Sequence, residues 1–221
     1  MAPELSGAVE SSGWDTWWAV KFPRYRYIYE FWYHFLWKAY RRLLNEIPSG
    51  KVRRVLEIGC GRGEMSFRMA REYGCKVVLL DKSSNALALA RERFRGASIE
   101  VDYIQGDVFD LGIKEQFDLV HSEGLLEHFE GSDMEFLLRL HAEATVPGGY
   151  VLTFAPFDSI FYKLSSWFLR ATGNWCFGYE VPIPPRRHLE LYHRTNLSVL
   201  GQTYVVLREF GVIGRKGWAV G

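Results

Sequence analysis

The chain has 221 residues, 48% hydrophobic and 24% charged, a composition that belongs to folded chains rather than disordered ones. Lys+Arg number 27 and Asp+Glu 26, a net charge of +1, which excludes binding of nucleic acid through bulk charge. Three scattered cysteines, Cys60, Cys75 and Cys176, exclude a disulfide framework and a Cys-x-x-Cys zinc site. No apolar run reaches the roughly 18 residues of a membrane span. The start Met1-Ala2-Pro3-Glu4 lacks the layout of a signal peptide, so a cytoplasmic, reducing setting without a resident metal is expected.

Residues 1–13 are small and polar without periodicity and read as a mobile tail. After Pro23, Ile28, Trp32, Phe35, Ala39 and Leu43 recur at helical spacing, predicting a helix over 24–46 that Pro48-Ser49-Gly50 ends. Residues 1–50 are therefore tail plus helical cap. The main domain is expected over 51–221. It begins with a strand at 52–58, a helix at 65–72, a strand at 76–80 and a helix at 84–94 capped by Ser83 or Ser84. Strands at 99–105 and 117–121, a helix at 133–144 and a strand at 150–154 follow. Strands separated by helices of this length imply βαβ units, hence an α/β fold with a mostly parallel sheet. Residues 157–189 form an aromatic insert, and the remainder should supply a last helix and edge strands.

The strongest local signal is Glu57-Ile58-Gly59-Cys60-Gly61-Arg62-Gly63-Glu64, lying between the first strand and the first helix of the main domain. Glycines let the backbone turn tightly and approach a ligand. A dinucleotide site would need Gly-x-Gly-x-x-Gly with pyrophosphate at the helix start, but the last position is Glu64. A carboxylate there, with Glu57 at the strand end, repels a diphosphate and suits a ligand whose near end is positive. S-adenosylmethionine, with its ammonium and sulfonium, meets that requirement.

At these residues the chain resembles the class I S-adenosylmethionine-dependent methyltransferases. Glu57 to Gly63 matches their first motif, and Asp81, ending Val77-Val78-Leu79-Leu80-Asp81, matches the acidic residue that accepts from both ribose hydroxyls. Gln105-Gly106-Asp107-Val108 matches their third landmark. By resemblance, Asp107 accepts from the adenine amino group and the Val108 backbone meets the ring edge. Phe117-Asp118-Leu119-Val120 leading to Leu126-Glu127-His128-Phe129, and Pro147-Gly148-Gly149-Tyr150, complete five landmarks in order over residues 51–156. The resemblance implies a Rossmann-like, doubly wound sheet with helices on both faces, an N-terminal helical cap and an insert after strand five. It also implies S-adenosyl-L-methionine as cofactor, held by Glu57, Gly59, Cys60, Gly61, Gly63, Asp81, Lys82, Asp107, Val108 and Ser122. Each landmark alone also reads as a solvated strand end or a plain turn.

Ligands of such sheets bind beyond the carboxyl ends of the strands at the switch point, where His121-Ser122-Glu123-Gly124 leaves the fourth strand. His128, Glu123 and His121 are the candidate catalytic residues, with a hydrogen-bonded helix cap as the other reading of His128. The family's amide and nucleobase N-methyltransferases carry Asn/Asp-Pro-Pro-aromatic here, which this chain lacks. The stretch 122–131 also resembles cyclopropane fatty acid synthases. Thirteen of the 27 residues from Trp14 to Tyr40 are aromatic, more than one packing stripe requires. With Phe157, Phe161, Trp167 and Phe168 of the insert they are expected to meet above the cofactor and form an apolar pocket for a small or lipid-like acceptor. Lys21, Arg24, Arg26, Lys38, Arg41 and Arg42 among these rings make residues 14–44 a candidate membrane contact as well as a plain solvated face. A methyltransferase acting on a small apolar or amphipathic acceptor leads. A non-catalytic cofactor-binding subunit and enzymes acting on lipid or RNA are the alternatives, and the oligomeric state stays open.

Overall fold

The computed structural model describes residues 14, 15, 17–172, 175 and 178–218, and the expected tail, 1–13, lies outside the described residues. A short π-helical turn, Trp17–Lys21, leads into α1 (Phe22–Leu44). Then come β1 (Arg54–Ile58), α2 (Glu64–Tyr73), β2 (Lys76–Asp81), α3 (Ser84–Phe94) and β3 (Val101–Gln105). They are followed by β4 (Phe117–Glu123), a 3-10 turn (Leu126–His128), α4 (Gly131–Ala144) and β5 (Thr145–Pro156). The chain closes with α5 (Ile160–Ala171), α6 (Pro185–Arg194), β6 (Leu197–Val205) and β7 (Glu209–Lys216).

The seven strands form one sheet in the order β3-β2-β1-β4-β5-β7-β6. The first five are parallel, and β7 runs antiparallel to both β5 and β6. The order reverses between β1 and β4, which opens a crevice at their carboxyl ends. Val55, Val77, Leu79, Leu119 and Leu152 point to one face with side chains of α1, α2 and α3. Their neighbours Leu56, Val78, Leu80 and Val120 point to the other. Farther along the sheet, α4 and α6 pack on Val151 and Val212 on that second face. Strands buried on both faces carry the unbroken apolar runs read in the sequence. Along the edge strand β6, Leu197, Thr203 and Val205 are buried while Ser198, Gln202 and Tyr204 are exposed, the alternation of a half-solvated strand.

Two elements differ from expectation. The insert contains a regular helix, α5, capped by Ser159, whose hydroxyl accepts from the Tyr162 amide. Its Ile160, Phe161, Leu164, Trp167 and Phe168 are exposed. The helix α1, expected as an N-terminal cap, also forms part of the core. Leu36, Tyr40 and Leu43 are fully buried, and Tyr40 stacks on Phe154 of β5 at 4.6 Å. Within the segment proposed as a membrane contact, Tyr27 and Phe31 are exposed while Trp17 and Tyr33 turn inward.

Candidate functional site

The loop after β1 turns through three left-handed glycines, Gly59 (φ 67°), Gly61 (φ 52°) and Gly63 (φ 68°), a conformation that side chains rarely adopt. Asp81, at the end of β2, ties this loop down. One carboxylate oxygen accepts from the Gly61 amide at 2.8 Å and the other from the Ser83 amide at 2.9 Å. A carboxylate has about four acceptor positions, so Asp81 keeps capacity for two more donors. Cys60 is buried, and its thiol points at the Gly61 carbonyl. Burial pushes that thiol well above its ordinary range, so it is a small loop residue and no nucleophile.

Above this loop lies a cavity of about 370 Å³. Glu57, Gly59, Cys60, Gly61, Asp81, Lys82, Asp107, Val108, Glu123 and His128 all border it. Three candidates do not. His121 is fully buried, with Nε2 3.0 Å from the Ser66 hydroxyl and Nδ1 3.3 Å from the Tyr40 hydroxyl. Ser122 is equally buried, with its hydroxyl 3.0 Å from Nε2 of His141. Alternation along β4 sends these two side chains into the layers flanking the sheet, one to each face, rather than to the strand's end. A Cβ on Gly63 would fall 2.8 Å from Leu79, so this glycine serves close packing of α2 against β2.

The expected repulsion from Glu64 is also corrected. Its carboxylate takes hydrogen bonds from Arg62, Arg68 and Arg93, each at 2.7 Å. Burial alone would raise the Glu64 carboxyl, but Arg93 and Arg62 hold it below its usual range. The carboxyl groups that border the cavity here are those of Glu57 and Asp81 instead. Glu57 lies beneath the loop, where burial pushes its carboxyl to about 8 against a hydrogen bond from Ser66, and one oxygen has no hydrogen-bond partner.

The N-terminal segment forms the roof. Trp18 lies on Gly61 so closely that a Cβ there would fall 2.5 Å from its ring. Asp15 accepts from the Ser83 hydroxyl, and Trp14 meets His128 edge-on at 4.8 Å. The His128 Nδ1 is 2.7 Å from the Tyr179 carbonyl, which accepts only, so Nδ1 carries the ring proton. Burial lowers this histidine to about 4, leaving an uncharged ring at neutral pH with Nε2 its basic atom.

The cap and the insert do enclose space together, through Trp14, Trp17, Trp18 and Trp32 on one side and Leu169 and Glu180 on the other. The pocket is not apolar throughout. Glu180 of the insert and Arg208-Glu209 at the start of β7 enter it, joining Glu123 and Glu127. Sequence reading missed these three, which share no spacing with any motif. The one available signal was Glu209 at the head of the apolar run Phe210–Ile213.

The strand order and the glycine loop anchored by the acid of β2 define the class I S-adenosylmethionine-dependent methyltransferase fold. Residues 55–149 match the family described as "Methyltransferase domain". Over 123 residues it is 32% identical to a ubiquinone biosynthesis O-methyltransferase of Klebsiella pneumoniae, covering 55% of this chain and 48% of that one. Over 167 residues it is 28% identical to the protein of that name from Nitrobacter winogradskyi, covering 72% and 61%. The chain thus spans about half to three fifths of the length of these curated relatives. The same fold occurs in the magnesium protoporphyrin IX methyltransferase of Synechocystis, solved with bound S-adenosylhomocysteine (TM-score 0.68, 14% identity, covering 92% of this chain and 97% of that one). It occurs too in a complex of the Haloferax volcanii Trm112 methyltransferase activator with a methyltransferase (TM-score 0.72, 15% identity, covering 92% and 97%).

The residues present fit the cofactor of that class. Free acceptor capacity on Asp81 suits a ribose diol, and the unpartnered oxygen of Glu57 suits an ammonium.

Proposed function

We propose that this chain transfers a methyl group from S-adenosyl-L-methionine to a small molecule. The observation that carries the reading is the cavity bordered at one end by the Asp81-anchored glycine loop and closed at the top by Trp14, Trp17 and Trp18. When bound, the cofactor supplies an electrophilic methyl on a sulfonium. The chain's part is to align and to exclude water, which accounts for most of the help a direct displacement needs. Asp81 and the loop amides hold the adenosyl end, and Asp107 and Val108 border its adenine side. The tryptophan roof keeps solvent out. His128, fixed as the Nδ1–H tautomer by Tyr179, offers Nε2 to a protonated acceptor oxygen or nitrogen.

Calorimetric titration with S-adenosylhomocysteine tests this reading. Micromolar, one-to-one binding is expected, and a heat trace equal to dilution would end it. A small-molecule acceptor is supported by the cavity of about 370 Å³ in which the site lies. A reducing, cytoplasmic setting is supported by the buried free thiols Cys60 and Cys75. Among the described residues no helix is long and apolar enough to cross a membrane. Peripheral contact with a membrane is supported by Tyr27 and Phe31 and, more extensively, by the exposed apolar side of α5. Flotation with anionic vesicles that left the protein in solution would remove that contact from the proposal.

A further inference from the structure

The cavity is polar at the end away from the glycine loop, and the sheet topology explains which ligand meets that end. Glycine loop, Asp81 and Asp107 follow β1, β2 and β3, one half of the sheet. Pro156, Arg208 and Glu209 stand at the ends of β5 and β7, in the other half, with Glu180 supplied by the insert. An adenosyl compound anchored on the first half leaves the second half for the acceptor.

Four carboxylates converge there: Glu123, Glu127, Glu180 and Glu209. Glu127 and Glu209 are 4% and 7% exposed, and each has a buried carboxylate oxygen without a hydrogen-bond partner although both border open space. Glu180 has a third such oxygen. Buried acceptors left unmade are costly, and their satisfaction by a ligand is the economical explanation. One guanidinium, Arg208, borders the cavity with these four acids. Beside the acids lie the rings of Trp32 and Tyr33, each with one of the protein's own guanidiniums over it, Arg208 at 5.9 Å and Arg62 at 5.7 Å, and a hydrogen bond from Trp32 reaches Glu209. Carboxylates with aromatic faces are the environment in which an organic ammonium is held. A metal ion is disfavoured, since among the described residues no three acidic, histidine or cysteine side chains converge closely enough to ligate one. Glu180 and Glu209 also lie outside residues 55–149, the span of the family match.

From the convergence of Glu123, Glu127, Glu180 and Glu209 beside Trp32 and Tyr33 we infer that the acceptor is an amine, which binds as its ammonium and passes one proton to a carboxylate of this cluster, freeing the nitrogen lone pair that takes the methyl. The inference rests on the methyl-transfer reading for the word acceptor, and on the side chains alone for the word amine. Burial raises all four acids, Glu123 and Glu180 to about 7. The groups acting on them are Glu57, Arg208 and Arg170, with the Tyr33, Tyr40 and Tyr162 hydroxyls nearby. An ammonium therefore binds more tightly as pH rises through 7 and the acids ionise.

Three probes of one shape separate the outcomes: tryptamine, its hydroxyl counterpart tryptophol, and indole-3-propionate. Each is titrated into the wild-type protein with and without saturating S-adenosylhomocysteine, at pH 6 and pH 8. Tryptamine is expected to bind roughly tenfold or more tighter than tryptophol at pH 8, with a smaller ratio at pH 6, and the carboxylate not at all. In Glu209→Gln and in Glu180→Gln, with folding checked by thermal melting, the ratio should fall about fivefold. Equal or tighter binding of tryptophol or indole-3-propionate overturns the inference, as does failure of all three while S-adenosylhomocysteine binds. An amine preference without S-adenosylhomocysteine binding would overturn the methyl-transfer reading and leave the ammonium site standing.

Discussion

Replacing Asp81 by alanine is expected to weaken S-adenosylhomocysteine binding by roughly 100-fold or more, because two ribose hydroxyls lose a charged acceptor. The loss has a second source in the free protein. The same carboxylate accepts from Gly61 and Ser83, at 2.8 Å and 2.9 Å, and so joins the loop after β1 to the end of β2. Removing it leaves two buried amides without partners and lowers folding stability by about 1–3 kcal/mol. Asp81→Asn separates the two roles. Its single carbonyl oxygen keeps one of the loop bonds, so stability should recover more than affinity does. Calorimetry and thermal melting on both variants check this. An Asp81→Ala protein that binds S-adenosylhomocysteine like the wild type would show that the cavity does not take an adenosyl compound in this orientation.

That loop and its acid were legible in the sequence because they are local. A glycine run between an apolar strand and a helix, and an acid closing the next apolar strand, each occupy a few adjacent residues. The inner parallel strands were legible for a related reason, since burial on both faces writes a largely apolar run, whereas the edge strand β3 is half-exposed. The unread parts lack a local signature. In α5, Ile160, Phe161, Leu164, Trp167 and Phe168 lie along one side of the helix, but that side faces solvent. The spacing was there, at i, i+1, i+4, i+7 and i+8, hidden in a segment taken as a uniform aromatic run. The insertion of β7 between β5 and β6 depends on long-range pairing, which no window of sequence shows. Glu127, Glu180 and Glu209 are separated by 53 and 29 positions, and only the fold brings them to one wall. His121 was misplaced by the opposite error. It lies within β4, two residues short of the strand's end, and the pleat turns it to Ser66 and Tyr40 beneath the loop.

Stability of the ligand-free protein is expected to peak near pH 5 and to decline on both sides, a consequence of two sets of buried groups. Burial lowers His121 and His188 to about 3, and His128 and His141 to about 4, from 6.5. As pH falls below 6.5 the unfolded chain takes up protons on these rings that the folded chain refuses, so stability is lost toward acid. Burial raises Glu57 to about 8 and Glu123 and Glu180 to about 7 from 4.5, with Glu127 and Glu209 raised as well. Between pH 4.5 and 7–8 the unfolded chain has released protons that the folded chain still holds, so stability falls as pH rises through that window. The two slopes oppose each other between 4.5 and 6.5, and beyond it only one acts on each side. A two-unit shift on a single group corresponds to about 3 kcal/mol, so the alkaline decline should appear as a drop of several degrees in melting temperature between pH 6 and pH 8. Glu209→Gln should flatten that limb by removing one of the five acids. A bound ammonium should do the same, because it favours the ionised carboxylates and makes binding release protons near pH 7. A melting temperature that rises steadily from pH 5 to pH 8 without ligand would mean that the acids are already ionised and compensated in the folded protein, with Arg208 serving as their counterion.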